Sequence, residues 1–211
     1  MITDLCIHAH LYQPPREDPW LGTILTEGSA APMNNWNERI LRESYAPMAW
    51  ARRLDGENYI QDLLNCYEWM SFNIGPTLLR WMRQEAPEAL QRMREGDKKS
   101  LERLGHGNAI AQCYHHNIMP LASERDKVLE TAWAIDDSRH LFVRDPECIS
   151  LPECAFHTPT LAVPAVRRIF FVILTASQPR AVTIDSARTS FILNCPDTSH
   201  PVLRPLPAVT R

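Results

Sequence analysis

Glycine is scarce in this chain, 7 residues in 211, where about 7% is usual. Glycine supplies the positive-φ positions at which turns and helix ends are made. Proline is in excess, at 17 residues. A chain short of one and rich in the other reads as a divergent copy of a better-behaved fold. Six cysteines (Cys6, Cys66, Cys113, Cys148, Cys154 and Cys195) are scattered without a C-x-x-C pair. Reduced thiols in a cytoplasmic protein are the simplest reading. No apolar run reaches the length of a membrane span, and the longest, "IFFVIL" at 169–174, is strand-sized. The first residues, "MITDLCIHAH", lack the basic and then apolar segments of a secretion signal. Net charge is −3, so no basic field invites nucleic acid or an anionic membrane surface. Neither is expected as a partner, and a cytoplasmic location is expected.

What is present alternates. "ITDLCIH" (2–8), "WMSFN" (69–73), "NAIAQCYHH" (108–116), "CISLPE" (148–153) and "IFFVIL" read as strands. Between them the spacing predicts helices. One covers 35–54, with Asn35 and Glu38 shaped as a capping box. Others begin at Pro76, continue through "PEALQRMREGDKKSLERL" to Gly105, and start again at Ser123, which with Asp126 caps a helix to about Leu141. "TPTLAVPAVRR" reads as a helix with Pro164 inside it. Strands alternating with helices predict an α/β fold with parallel strands, an open sheet or a barrel. From about Pro179 the pattern fails. Residues 1–178 are expected as one partial barrel domain and 179–211 as a proline-rich, irregular tail.

In such folds ligands meet the C-terminal ends of the strands. Four expected strands end in polar residues: His8 and His10, Asn73, His115 and His116, and Glu153. Each has a plain alternative as a turn residue, a helix cap or a solvated strand end. His8 and His10, two apart, share one face of a strand. His115 and His116 are adjacent, so only one of them can face a site.

The blocks "HAHLYQPPREDPWLG", "WNERILRESYAP", "SFNIGPTLLRWM", "GHGNAIAQCYHHNIMPLASERDK" and "LPECAF" resemble glycoside hydrolase family 57. The branch they resemble more narrowly is its alpha-amylase/alpha-mannosidase-like one. The resemblance spans about residues 5–175. It implies an incomplete (β/α)7-type barrel, of which about five strands are present here, and a retaining hydrolase or glucanotransferase acting on alpha-linked glucans without a cofactor. Glu153 then matches the nucleophile. His8, His10, Gln13, Asn73 and His116 match substrate-binding positions. A retaining glycosidase also needs a second carboxyl, about 5–5.5 Å from the first, as acid and then base. No residue here matches that position, so an incomplete copy with low activity alone is expected.

Around these blocks the family pattern is altered. Cys148 and Ser150 stand where the family has glycine and tryptophan. Ala134, Val143 and Arg168 stand where the branch tends to have glycine, and Ser138 where it tends to have an aromatic. Two other readings of the same residues stay open. One is a zinc-dependent carbohydrate deacetylase or mannosidase-like hydrolase, with His8, His10 and His116 as ligands. The other is a non-catalytic sugar-binding remnant.

Overall fold

The structure is a computed structural model, and it describes residues 5–175 and 201–205. The chain forms two compact units, Met1–Ala109 and Ile110–Arg211.

In the first unit, strand β1 (His8–Leu11) runs parallel to a later strand in the same unit, Ser71–Ile74. A helical stretch follows the long loop after β1. It comprises α1 (Trp36–Ile40), a π turn at Leu41–Tyr45, and α2 (Ala46–Ala49). Asn35 caps α1, its Oδ1 accepting from the Glu38 N–H at 3.0 Å. The Glu38 carboxylate reaches back to the Asn34 N–H, so the box closes one residue earlier than expected.

The helix expected over 35–54 stops at Ala49. Ala51–Leu54 is instead a strand, β2, antiparallel to β3 (Ile60–Leu64). The cause is the turn between them. Asp55 Oδ1 accepts from the N–H groups of Glu57 and Tyr59, and Asn58 takes φ 67°. An aspartate that closes an Asx turn onto a left-handed asparagine competes with a continuing helix.

The partner of β1 is β4 (Ser71–Ile74). It leads through Gly75 into α3 (Pro76–Glu85), with proline in the first turn where a missing N–H does no harm. Helix α4 (Pro87–Leu104) ends at Gly105 in the left-handed conformation, φ 76°. Its buried residues, Ala89, Leu90, Met93, Gly96, Asp97 and Ser100, recur at three- and four-residue spacing and form one inward stripe. Gly96 is there for a steric reason. A Cβ at this position would lie 2.7 Å from the Tyr67 carbonyl carbon and Cβ. Tyr67 is fully buried against the edge of Phe72, with ring centroids 5.0 Å apart. Asp97, also buried, accepts from the Ala109 N–H at 2.7 Å and so fixes the start of β5 (Ala109–Gln112).

In the second unit, β5 pairs in parallel with β6 (Cys148–Ser150), and β6 pairs in parallel with β7 (Phe171–Thr175). Helix α5 (Glu124–Phe142) joins β5 to β6, and α6 (Thr158–Val166) joins β6 to β7. Both crossovers are what parallel neighbours require. The core here is apolar strand residues (Ala111, Ile149, Val172, Leu174) packed with Ala134 and Ile135 of α5. A further strand, β8 (Pro201–Pro205), pairs antiparallel with β7. It falls within the stretch expected as an irregular tail. The rest of 179–211 lies outside the described residues.

The fold class expected from the sequence is present: parallel strands joined by helices, as in an incomplete (β/α) barrel. The five strands expected in sequence have counterparts in β1, β4, β5, β6 and β7, but β1 begins at His8, where the expected first strand ends, and β5 and β6 stop at Gln112 and Ser150, short of His116 and Glu153. Among the described residues, no helix is long and apolar enough to cross a membrane.

Candidate active site

Side chains two apart on β1 share a face, and its register places His8 opposite Ser71 and His10 opposite Asn73. The structure joins these residues in one hydrogen-bonded chain. Ser71 Oγ lies 2.9 Å from His8 Nδ1, and His8 Nε2 lies 3.1 Å from Asn73 Oδ1. Asn73 Nδ2 lies 2.8 Å from His10 Nδ1. One proton assignment satisfies all three contacts. Ser71 donates to His8 Nδ1, sharing its one proton with the Ile7 carbonyl at 3.3 Å, His8 Nε2–H donates to Asn73 Oδ1, and Asn73 Nδ2–H donates to His10 Nδ1. His8 is then neutral, and the Asn73 amide sits over His10 Nδ1, its Oδ1 at 3.2 Å as well. Burial holds the His8 pKa below its ordinary value, opposed by the Asn73 bond and assisted by the neighbouring His10. Asn73 has no solvent exposure, whereas His10 is exposed. The asparagine is thus the fixed member and His10 the presented one.

Tyr12 stacks beside His10, with ring centroids 6.2 Å apart and planes 26° from parallel. Gln13 lies on the loop after β1. Its Oε1 accepts from Arg16 Nη2 at 3.0 Å, and its carbonyl accepts from the Thr77 hydroxyl at the start of α3. Arg16 in turn pairs with Glu27 at 2.6 Å. Gln13 therefore anchors the loop after β1 to the helix that follows β4. Trp20 is almost wholly exposed, and Trp36 donates its indole N–H to Ser29 at 3.0 Å.

In the second unit, His116 and Glu153 follow neighbouring parallel strands. Gln112 pairs with Ser150, and the Cys113 N–H donates to the Ser150 carbonyl at 3.5 Å. Each then sits in a left-handed backbone conformation, His116 at φ 57° and Glu153 at φ 54°. Cys154 repeats the conformation at φ 51°. For non-glycine residues this is costly, roughly 1–2 kcal/mol each, and such strain collects where a side chain must be aimed. Glu153 is exposed on a single 3-10 turn, Pro152–Cys154, directly after β6.

The loop that carries His116 is held by a residue that sequence reasoning passed over. The buried Glu130 of α5 accepts from the His115 N–H and from His115 Nδ1, each at 2.7 Å, and from Asn117 Nδ2 at 3.1 Å. It thus grips the residues on both sides of His116. Its charge also adds to burial in pushing the Cys113 thiol up to about 12, which keeps that thiol protonated. A signal existed: Glu130 lies among Lys127, Thr131 and Ala134 on the buried face of α5, where a carboxylate needs donors.

The first unit thus brings together His8, His10 and Asn73, with Tyr12 alongside. The second carries His116 and Glu153 beyond adjacent strands. Among the described residues, no group of three or more His, Cys, Asp or Glu side chains is placed to hold a metal ion. His8 and His10 turn ring nitrogens toward Asn73 instead.

No protein-family model matches the chain, and no curated protein sequence matches it. Solved structures do. One is a 4-alpha-glucanotransferase from Thermococcus litoralis, at 17% identity and TM-score 0.55, covering 83% of this chain and 24% of that one. Another is an exo-type maltose-forming amylase from a Pyrococcus species, at 16% identity and TM-score 0.58, covering 88% of this chain and 31% of that one. The chain carries part of their fold. It spans about a quarter to a third of the length of each.

Proposed function

We propose that this chain is the strand-bearing catalytic portion of a retaining glycoside hydrolase or glucanotransferase of family 57 type, acting on alpha-linked glucans. Glu153 is its nucleophile. His8, His10, Gln13, Asn73 and His116 bind sugar hydroxyls, and Gln13 also ties the first loop to Arg16. The observation that carries this reading is Glu153 itself, an exposed carboxylate on a strained turn directly after a parallel strand. Two further features support it. The His8–Asn73 pair holds the exposed His10 in a fixed orientation at another strand end. The two solved structures that share the fold are named for action on alpha-glucans.

In this reading the Glu153 carboxylate attacks the anomeric carbon, and the glycosidic C–O bond breaks as a second carboxyl protonates the leaving oxygen. That second carboxyl has no assigned residue in this chain, so low turnover by the chain alone is expected. The test is therefore a substrate whose leaving group needs no proton. With 5-fluoro-α-glucosyl fluoride, attack by Glu153 forms an ester and expels fluoride. Peptide mass spectrometry is expected to find the sugar on Glu153, with maltoheptaose protecting it. A folded chain that takes no label, or takes it equally after Glu153→Gln, would sink the assignment.

A further inference from the structure

Helix α5 sets Trp133, Asp136 and Asp137 at positions i, i+3 and i+4, which lie on one face. Together with Tyr114 and His115 they line an open groove of about 460 Å³, within the range of ligand sites. We propose that this groove binds a stretch of neutral glucan chain, as a docking site distinct from Glu153 and from the His8–Asn73–His10 chain. The inference rests on the alpha-glucan reading above.

The lining has two chemistries. Tyr114, His115 and Trp133 meet edge to face, with centroids 4.9, 5.6 and 5.9 Å apart. Trp133 keeps 43% of its surface exposed. A rigid ring left in water offers apolar area at little ordering cost, and the C–H faces of a pyranose fit such a surface. The aspartates supply acceptors, which sugar hydroxyls satisfy as donors.

Two features favour a neutral ligand over a cation. Asp136 already faces a cation, Arg139 Nη1 at 3.4 Å, and Arg139 also bonds Asp145. Its charge is therefore partly offset by a guanidinium that it shares with Asp145, and a carboxylate with about four acceptor sites keeps some for hydroxyls. The groove is also open, so a polymer can lie across it with both ends in solvent. His115 is fixed beforehand by Glu130, which holds both its N–H and its Nδ1. The groove is thus largely preformed, with little left to order on binding.

The test is electrophoresis of the full chain through gels containing amylopectin. Parent, Trp133→Ala, Asp137→Asn and His10→Ala are compared, with circular dichroism confirming that each is folded. Trp133→Ala and Asp137→Asn are each expected to weaken retardation, the former by roughly three- to tenfold in apparent Kd. His10→Ala is expected to lose only the part of the retardation that the strand-end residues supply. Retardation unchanged in Trp133→Ala but lost in His10→Ala overturns the groove and leaves the strand-end reading standing. A parent chain that is not retarded at all overturns both. Release by tetramethylammonium but not by maltoheptaose overturns the neutral ligand in favour of a cationic one.

Discussion

Asn73 and His10 stand in register on adjacent parallel strands, and Asn73 Nδ2 lies 2.8 Å from His10 Nδ1. The same amide accepts from His8, so one side chain binds both histidines. Asn73→Asp keeps the shape but replaces the donor with a charged acceptor. His8 is then expected to titrate at higher pH. Imidazole proton shifts followed by NMR would show it. An unmoved His8 would mean that the amide does not set its protonation.

The His8 pKa also gives stability a pH dependence with a definite sign. The folded value lies below the unfolded one, near 6.5. As pH falls through 6.5 the unfolded chain binds a proton that the folded chain refuses, so stability drops. Above pH 7 this contribution is constant. Urea midpoints at pH 7.5 and 5.5 are expected to differ more for the parent than for His8→Gln. Equal differences would contradict the assignment.

Val143 caps the C-terminus of α5 at φ 55° with 80% of its surface exposed. A β-branched residue in that conformation is strained, and little packing would be lost with it. Val143→Gly is expected to raise unfolding free energy by about 1 kcal/mol. Chemical denaturation of the two chains measures it, and a loss of stability would refute the strain.

Gly96→Ala is expected to do the reverse. The added methyl would meet Tyr67 at 2.7 Å, including a backbone carbon that cannot swing away. A loss of about 1–3 kcal/mol is expected, as for overpacking elsewhere, despite the better helix propensity of alanine. A neutral result in thermal unfolding would show that α4 and the Cys66–Glu68 turn separate easily.

Glu130→Gln should loosen the loop around His116. One of two acceptor oxygens becomes a donor facing donors, at about 1–3 kcal/mol. Faster hydrogen exchange at the His115 amide, with α5 otherwise protected, is the expected signature.

Much of this was legible in the sequence, for physical reasons. The five parallel strands announced themselves as apolar runs, and Pro76, Ser123 and Gly105 marked helix ends through backbone chemistry alone. Val143 and Arg168, noted as standing in for glycine, do take positive φ. Ala134, noted for the same reason, sits instead inside α5 and is buried. The hairpin β2–β3 was missed because its turn depends on one aspartate side chain, while the flanking residues have no clear period. Glu130 was missed because its donors lie on a loop some fifteen residues upstream, a distance that only folding closes. Gln13, expected as a sugar contact, also accepts from Arg16 through its side-chain oxygen, a bond that spacing alone does not announce.

Gly96 also bears on how this sequence can drift. Every residue reachable from a glycine codon by one base change carries a Cβ, and all of them meet the same backbone carbon of Tyr67. In a saturation library selected for folded protein, codon 96 should therefore be nearly monomorphic. The outward positions of the same helix, Glu88, Arg94, Lys98 and Glu102 among them, should accept most of the alphabet. Such a profile would be read from sequencing counts alone, with no substrate added.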